Sequence, residues 1–242
     1  MAQLGKVIGV GVGPGDPELL TIKAYRTLKE ADLVAYPKKR RGADSYAKKI
    51  IAPYEQAIRE SLGLVFPMTK EKDVLEREWN RIAEEIYEHV SQGKTVAFVT
   101  EGDPMLYSTF IHLWKTMKAK YPDVDISSIP GISSVTAVAS QLMIPLADGD
   151  EWTAVIPATE GREKMKEALL QHDGVVFIKV AKVLPMMIEL LEELGMAQSA
   201  AVATKVTSED EWIWRNVDEL KTAELEYLTL MMVRQEKKEV VV

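Results

Sequence analysis

The chain has 242 residues, of which 47% are hydrophobic and 28% are charged, and its formal net charge is −7. This composition is typical of a globular protein with material for one large or two modest domains. The negative charge argues against nonspecific binding to nucleic acid, which depends on neutralising phosphates. Because cysteine is absent, a disulfide framework, a thiolate nucleophile and a cysteine-type zinc site are excluded.

The sequence also lacks the signals of a membrane or secreted protein. It contains no run of about 18 apolar residues, the length that a transmembrane helix needs. Met1 is followed by a glycine-interrupted strand pattern rather than by the apolar segment and cleavage site of a signal peptide. With the absence of cysteine, these features predict a cytoplasmic protein with no membrane partner and no nucleic-acid partner.

Strand and helix patterns alternate through the first half of the chain. Strands are predicted at residues 6–13, 32–36, 95–100 and 124–129, and helices at residues 19–30, 73–92 and 105–120. In the helix over residues 73–92 apolar side chains recur every three to four positions, and Gly93 ends it. Such alternation favours a mostly parallel sheet with helices on both faces.

The second half of the chain follows a connector at residues 144–150 and contains more predicted strands than helices. Strands are predicted at residues 153–156, 175–180, 200–206, 212–217 and 227–233, and helices at residues 162–171 and 183–194. The last strands leave little room for crossover helices, so part of this sheet should be antiparallel. The sequence therefore predicts an α/β fold of two domains, residues 1–128 and 129–242, with a ligand cleft between them. A boundary as late as residues 145–150 is the alternative.

Three apolar runs end in a turn of small residues that opens a helix. The turns are residues 14–17 (PGDP), 101–104 (EGDP) and 130–134 (PGISS). In an open parallel sheet such turns gather at the carboxyl ends of the strands, where ligands bind. Glycines allow a close approach of backbone to ligand, and helix N-termini offer free N–H groups. The alternative is that these glycines only form tight turns.

The alternate glycines of the first turn do not form a dinucleotide-binding fingerprint. Counted from Gly9, the G-x-G-x-x-G spacing reaches Pro14, and counted from Gly11 it reaches Asp16. The second strand runs into basic residues 38–41 instead of the acid that would bind a ribose. A G-x-x-x-x-G-K-[ST] motif is absent, so a P-loop is excluded as well.

Several polar residues at these strand ends have two interpretations. Asp103 either caps the next helix or presents a carboxylate to ribose hydroxyls or to a cationic centre. Ser133 and Ser134 either cap a helix or bind the ligand. The basic cluster, formed by Lys38, Lys39, Arg40 and Arg41, is either a solvated face or an anion site. The three histidines lie in different helical segments with no pair at ligand spacing, so no metal site is predicted.

These segments resemble the S-adenosylmethionine-dependent tetrapyrrole methyltransferase family. The resemblance is carried by residues 10–32 (VGVGPGDPELLTIKAYRTLKEAD), 101–110 (EGDPMLYSTF) and 129–139 (IPGISSVTAVA). Residues 66–69 (FPMT), 106–110 and 141–151 (QLMIPLADGDE) are similar to the C20-methyltransferases of the vitamin B12 pathway, which act on precorrin-2 or cobalt-factor II. The C-terminal third resembles the family more loosely.

The resemblance implies a two-domain α/β enzyme, commonly a homodimer, that uses S-adenosyl-L-methionine and releases S-adenosyl-L-homocysteine. The positions that match the family's cofactor pocket are Pro14, Gly102, Asp103, Leu106, Ser133, Ser134, Lys179, Val206 and Thr229. Relatives tend to have Arg or Asn, a small residue and Thr where this chain has Lys205, Val206 and Thr207. This departure implies a slightly different adenine pocket.

The chemistry of such a reaction requires neither a triad nor a metal. A sulfonium methyl group is already activated, so the enzyme has to align it with an electron-rich carbon, and orientation supplies about 7–11 kcal/mol. A proton must then leave that carbon, and Asp103 or a water that it holds is the candidate acceptor. The basic cluster is the candidate partner of the substrate carboxylates, and Tyr107 is a further candidate for substrate binding.

Two alternatives remain at this point. The same scaffold could methylate another position of a tetrapyrrole, or a different substrate altogether. The chain could also be a tetrapyrrole-binding or metal-inserting protein without methyl transfer, although metal insertion would ordinarily need a histidine pair that the sequence lacks.

Overall fold

The computed structural model describes residues 3–40, 42–66, 69, 71–159, 161–222 and 225–235. Their contacts divide the chain into two compact units, Met1–Ser133 and Ser134–Val242. No helix among these residues is long and apolar enough to cross a membrane. The domain limits and the cleft inferred from the sequence stay predictions.

The first unit is built on a five-stranded, entirely parallel sheet. Its strands are β1 (Lys6–Gly11), β2 (Leu33–Lys38), β3 (Ser61–Val65), β4 (Thr95–Thr100) and β5 (Asp125–Ile129). They lie in the order β3-β2-β4-β1-β5, so the carboxyl ends of all five strands point to one edge of the sheet. The predicted parallel sheet is confirmed.

Helices cover both faces of this sheet, as predicted. They are α1 (Ile22–Glu30), α2 (Tyr46–Ile51), α3 (Lys72–Ser91) and α4 (Thr109–Lys120). Successive side chains of a strand point to opposite faces. Phe98 of β4 accordingly packs with residues of α3 and α4, while its neighbours Ala97 and Val99 pack with residues of α1 and α2.

The second unit contains a mixed sheet, which confirms the prediction for the second half of the chain. Its elements are α5 (Ser134–Leu142), β6 (Thr153–Pro157), α6 (Arg162–Gln171), β7 (Gly174–Ile178), α7 (Leu184–Glu193), β8 (Ala200–Thr204), β9 (Trp212–Trp214) and β10 (Thr229–Arg234). The order is β6-β7-β10-β8-β9, with β6 and β7 parallel and the other neighbours antiparallel.

Several predicted boundaries in the first unit are wrong. Strand β1 ends at Gly11 rather than at residue 13, and helix α1 begins at Ile22 rather than at residue 19, because the Thr21 hydroxyl caps it. Strand β2 continues through Pro37 to Lys38, since pairing with β4 ends at Ala35 and the missing proline N–H faces the side where that ladder has ended. Helix α4 begins at Thr109 rather than at Met105, because the Ser108 hydroxyl accepts the N–H of Phe110 and caps the helix there. Strand β3 and helix α2 were not predicted.

Candidate functional site

Three glycine-containing turns at the carboxyl edge of the first sheet contact one another; they follow β1, β4 and β5, and we call them the glycine loops. The N–H of Gly102 donates to the carbonyl of Gly13 at 2.8 Å. A Cβ atom added to Gly11 would lie 2.6 Å from the nitrogen of Gly131, so the first and third turns touch through their backbones. Only glycine permits this approach. Pro14, in the first turn, is buried.

Asp103 joins the second glycine loop to the third. One carboxylate oxygen accepts the N–H of Met105 at 2.8 Å, and the other accepts the N–H of Gly131 at 3.1 Å. Both oxygens are therefore engaged with backbone in the structure. Asp103 therefore links the second and third glycine loops and does not cap α4, which Ser108 caps. Its role as a proton acceptor stays a prediction.

The segment after Asp103 exposes apolar side chains. Met105, Leu106 and Tyr107 are 49%, 39% and 46% exposed, and Tyr107 has a backbone φ of 51°. Left-handed backbone is uncommon for such a residue and concentrates at functional sites. The hydroxyls of Thr100 and Ser108, which flank residues 101–107, are buried and hydrogen-bonded to each other at 2.9 Å.

The two serines of the third turn lie where it enters the next helix. Ser134 is the first residue of α5, and Ser133 precedes it. Both residues are half-buried. The structure therefore places Ser133 at the end of the first unit, beside the glycine loops, and Ser134 at the start of the second.

In the second unit, Lys179, Val206 and Thr229 meet at one edge of the sheet. Strand β10 is antiparallel to both β7 and β8, so its first residue lies where β7 and β8 end. Lys179 directly follows β7, Val206 follows β8 by two residues, and Thr229 opens β10. The Thr229 hydroxyl donates to that of Thr204 at 3.1 Å and is buried.

The backbone at this edge is unusually strained. Lys179, Lys205 and Thr207 have φ angles of 61°, 46° and 69°, in the left-handed region that favours glycine. Lys205 is held by an ion pair with Glu226 at 2.7 Å. Strained residues persist where surrounding structure holds them, and they cluster at ligand sites.

The basic cluster lies at the carboxyl end of β2. Lys38 is the last residue of that strand, and Lys39 and Arg40 follow it; Arg41 lies outside the described residues. A Cβ added to Gly63 of β3 would lie 2.6 Å from the side chain of Lys38, so this lysine extends across the neighbouring strand. Its Nζ atom is 6.0 Å from the centre of the Tyr36 ring.

Sequence reasoning missed Glu101, the residue that directly follows β4. The backbone N–H groups of Glu101 and Ala47 and the positive charge of Lys39 act to lower the pKa of its carboxyl. Desolvation by the surrounding protein nevertheless raises its pKa above the ordinary value of 4.5. The sequence contained a sign of this residue, because the alternation of side chains along a strand puts residue 101 on the same face as the buried Ala97 and Val99.

No group of three or more His, Asp or Glu side chains that could hold a metal occurs within the described ranges. The first unit carries the glycine loops, the exposed apolar side chains and the cluster of cations, and the second unit carries the edge of strained backbone. These features suit an organic ligand that carries both apolar surface and anionic groups.

Sequence comparison identifies the class of protein that carries these loops. The profile of the tetrapyrrole (corrin/porphyrin) methylases matches residues 6–221. That match spans most of the chain, including the three glycine loops, the basic cluster and most of the second sheet. The chain belongs to this family.

Two relatives that match this chain along nearly their whole length are named for methylation at the same carbon, C20. The cobalt-precorrin-2 C(20)-methyltransferase of Salmonella typhimurium is 32% identical over 96% of this chain and 97% of its own length. A probable cobalt-precorrin-2 C(20)-methyltransferase of Methanocaldococcus jannaschii is 34% identical, with the same two coverages of 96% and 97%.

Solved structures show the same fold. A cobalt precorrin-4 methyltransferase superimposes with a TM-score of 0.72 at 22% identity, over 95% of this chain and 94% of the other. The uroporphyrin-III C-methyltransferase of Thermus thermophilus, solved with S-adenosylhomocysteine, has a TM-score of 0.66 at 22% identity, over 96% and 98% of the two chains.

Proposed function

We propose that this protein is an S-adenosylmethionine-dependent methyltransferase that adds a methyl group to the C20 meso carbon of precorrin-2 or cobalt-factor II in cobalamin biosynthesis. The observation that carries the proposal is the end-to-end match, at 32% and 34% identity, to two relatives named for this reaction. The structure supports it with glycine loops whose backbones approach one another closely and with exposed apolar side chains beside them.

The cofactor is proposed to bind at the glycine loops and at the edge formed by β7, β8 and β10. The observations that support this are the close backbone approach at Gly11 and Gly131, which leaves loop backbone free of side chains, and the exposed side chain of Leu106. In the second unit, the residues proposed to contact it are Lys179, Val206 and Thr229, which share one edge. The proposed first-unit contacts are Pro14, Gly102, Asp103, Ser133 and, at the start of α5, Ser134.

S-adenosylmethionine, when bound, supplies a methyl group that is already activated for transfer by its sulfonium. The residues of the chain then have to orient the reactants and exclude water, which is worth about 7–11 kcal/mol when the reacting atoms are well aligned. Asp103 serves orientation by holding two loops in register through its bonds to Met105 and Gly131. The exposed Met105, Leu106 and Tyr107 offer apolar surface that removes water from the reacting atoms.

The macrocycle is proposed to bind against the basic cluster and Tyr107. Its carboxylates need cations, and Lys38, Lys39 and Arg40 supply them at the carboxyl end of β2, on the same sheet edge as the glycine loops. Charge-assisted hydrogen bonds to carboxylates are the strong ones. That the enzyme works as a homodimer in the cytoplasm stays a prediction.

Calorimetry and a turnover assay test the proposed function together. Titration with S-adenosylhomocysteine should show saturable binding, and wild-type protein should convert precorrin-2 to a singly methylated product when S-adenosylmethionine is present. A protein that only carries or metallates tetrapyrroles would bind the macrocycle without saturable binding of S-adenosylhomocysteine. Single-turnover reactions with metal-free and cobalt-loaded substrate identify which form it uses.

A further inference from the structure

Two buried hydroxyls flank residues 101–107, the segment that contains the second glycine loop. Thr100 is the last residue of β4 and Ser108 immediately precedes α4, and their side-chain oxygens lie 2.9 Å apart. The two residues are only 2% and 8% exposed. A buried hydroxyl without a partner is unfavourable, so the pairing stabilises both residues. The bond ties the start of this segment to its end.

The hydroxyl of Ser108 has two tasks. Its oxygen accepts the N–H of Phe110 at 3.1 Å, which caps α4. Because a hydroxyl has one hydrogen and two lone pairs, the same group is also able to donate to Thr100 or to accept from it. The two tasks are separable by mutation, since removing the Thr100 hydroxyl opens the closure of the segment and leaves the cap in place.

Thr100 is also connected to the first glycine loop, through its backbone. Its carbonyl accepts the N–H of Val12 at 3.0 Å, and the next bond between the two loops runs from Gly102 to Gly13. The backbone of Thr100 therefore holds the chain where the first loop leaves the sheet. Its side chain holds the chain where residues 101–107 end.

The closure lies next to a residue with strained backbone. Tyr107, which directly precedes Ser108, has a φ of 51°. A residue other than glycine keeps such a conformation only where the surrounding structure holds it. Ser108 is fixed by its bonds to Thr100 and to Phe110, so the chain is held at the position directly after Tyr107. The exposed side chain of Leu106 belongs to the same closed segment.

We infer that Thr100 and Ser108 are positioning residues for the cofactor: the hydrogen bond between their hydroxyls holds residues 101–107 in the conformation that presents Gly102 and Leu106 to S-adenosylmethionine. This inference rests on the proposed function. Because both side chains are buried, they act through the segment that they close and not by touching the ligand. Asp103 has a complementary task, since it links this segment to the third glycine loop.

Four variants test the role of the hydroxyl pair. Thr100→Val removes one hydroxyl and keeps the shape of the side chain and the carbonyl that binds Val12, while Thr100→Ser is the conservative variant that keeps the hydroxyl. Ser108→Ala removes both the pair and the cap. Thr95→Val is the matched control at the other end of β4, because the bond of Thr95 to Asp32, at 2.9 Å, comes from its backbone N–H and is retained.

The first measurement is made on the protein without ligands. In Thr100→Val, hydrogen–deuterium exchange should be faster at the N–H groups of Gly102 and Met105, which are bonded within the glycine loops. The first turn of α4 should exchange as in wild type, because Ser108 still caps it, whereas Ser108→Ala should speed exchange in both places. Thr100→Ser and Thr95→Val should resemble wild type. Unchanged exchange at Gly102 and Met105 in Thr100→Val would overturn the inference.

The second measurement connects the hydroxyl pair to the cofactor. When the conformation that binds is less populated, the apparent affinity falls in proportion. Thr100→Val should therefore raise the dissociation constant of S-adenosylhomocysteine by about fivefold, the equivalent of one ordinary hydrogen bond. The KM for S-adenosylmethionine should rise in parallel, and kcat should stay within about twofold of wild type, because saturating cofactor restores the binding conformation. Thr100→Ser and Thr95→Val should bind like wild type.

A double variant tests whether the two hydroxyls act through their shared bond. In a Ser108→Ala background, adding Thr100→Val should change the affinity for S-adenosylhomocysteine less than it does alone, because the bond is already lost. Full additivity would contradict the inference, as would an equal loss of affinity in Thr95→Val.

The remaining outcomes separate the inference from the proposed function. Faster exchange with unchanged affinity would mean that the closure of residues 101–107 does not serve the cofactor, and a fall in kcat alone would mean that the hydroxyls act on the reaction itself. Either result would overturn the inference and leave the proposed function intact. Wild-type protein without saturable binding of S-adenosylhomocysteine would refute both.

Discussion

Asp103 shows how much a single side chain contributes to the shape of the site. Each of its oxygens accepts one backbone N–H, from Met105 and from Gly131. An asparagine offers one acceptor and one donor, so Asp103→Asn should turn an amide N–H toward one of these backbone donors. We expect turnover to fall by about 10²-fold or more.

Cofactor affinity distinguishes the two roles proposed for Asp103. If it clamps the loops, S-adenosylhomocysteine binding by calorimetry should weaken together with kcat in Asp103→Asn. A fall in kcat alone would favour the proton acceptor that the sequence suggested. Turnover near the wild-type value at saturating cofactor would show that neither role matters.

Glu101 allows a prediction about stability and pH. Because burial raises its pKa above 4.5, the folded state holds a proton at this position more readily than the unfolded chain does. Above that raised pKa the folded protein keeps an unfavourable buried charge, whereas below pH 4.5 the group tends to be protonated in both states. Glu101→Gln removes the charge, so it should stabilise the fold near pH 8 and lose this advantage toward pH 4.

Thermal melts of wild type and Glu101→Gln at the two pH values measure this effect. The difference in Tm should favour the variant at pH 8 and should shrink toward pH 4. A variant less stable than wild type at pH 8 would show that the favourable interactions of the charged carboxylate with Lys39 and with nearby backbone N–H groups outweigh the desolvation.

Among the turns, Gly102 provides the sharpest test of the cofactor site. It has a φ of 64° and donates to Gly13 across the glycine loops. Gly102→Val should abolish S-adenosylhomocysteine binding in calorimetry, because a β-branched side chain strains this backbone and obstructs the loop.

Gly195 supplies a matched control for that strain. It has a φ of 67°, and a Cβ added there would meet nothing within 4 Å. Gly195→Val should therefore introduce a similar backbone penalty and leave cofactor affinity unchanged, with cooperative unfolding in both variants. Unchanged affinity in Gly102→Val would remove the second glycine loop from the proposed pocket.

Elements with a strong periodic pattern could be predicted from the sequence, and those determined by tertiary contacts could not. The helix predicted at residues 73–92 is present as Lys72–Ser91, and Gly93 follows it with a φ of 83°. Strand β3 was missed because its residues, SLGLV, are partly exposed and include a glycine over which Lys38 packs. Helix α2 was missed because six residues are too few for periodicity to show.

The candidate site likewise has some features that could be predicted from the sequence and others that could not. The three turns were predicted from glycines at strand ends, and their meeting follows from parallel strands. The bond between Asp103 and Gly131 could not be predicted, because its backbone N–H comes from a distant segment of the chain. Lys179, Val206 and Thr229 were identified by family resemblance, and the antiparallel register explains why they share an edge.

At the scale of the whole molecule, the protein is acidic and its proposed substrate is an anion. With a net charge of −7, long-range attraction cannot come from the chain as a whole, so local cations must recruit the macrocycle. Neutralising Lys38, Lys39, Arg40 and Arg41 together should raise the tetrapyrrole KM by about tenfold or more, through lost charge-assisted hydrogen bonds. S-adenosylhomocysteine affinity should barely change.

A second quadruple variant controls for net charge. Lys23, Arg26, Lys115 and Lys118 are exposed on α1 and α4, and neutralising them gives the same net charge as the cluster variant. Its KM should stay near wild type, and added salt should raise the KM of wild type more than that of the cluster variant. Equal effects of the two variants would make the basic cluster a solvated face.

The position of the new methyl group tests the central claim most directly. Wild-type protein is incubated with precorrin-2 or cobalt-factor II and with S-adenosylmethionine labelled with ¹³C in its methyl group, and the product is examined by NMR. The account predicts one labelled methyl group, bonded to the C20 meso carbon, and one equivalent of S-adenosylhomocysteine. A labelled methyl at any other carbon of the macrocycle, or no methylated product, would contradict it.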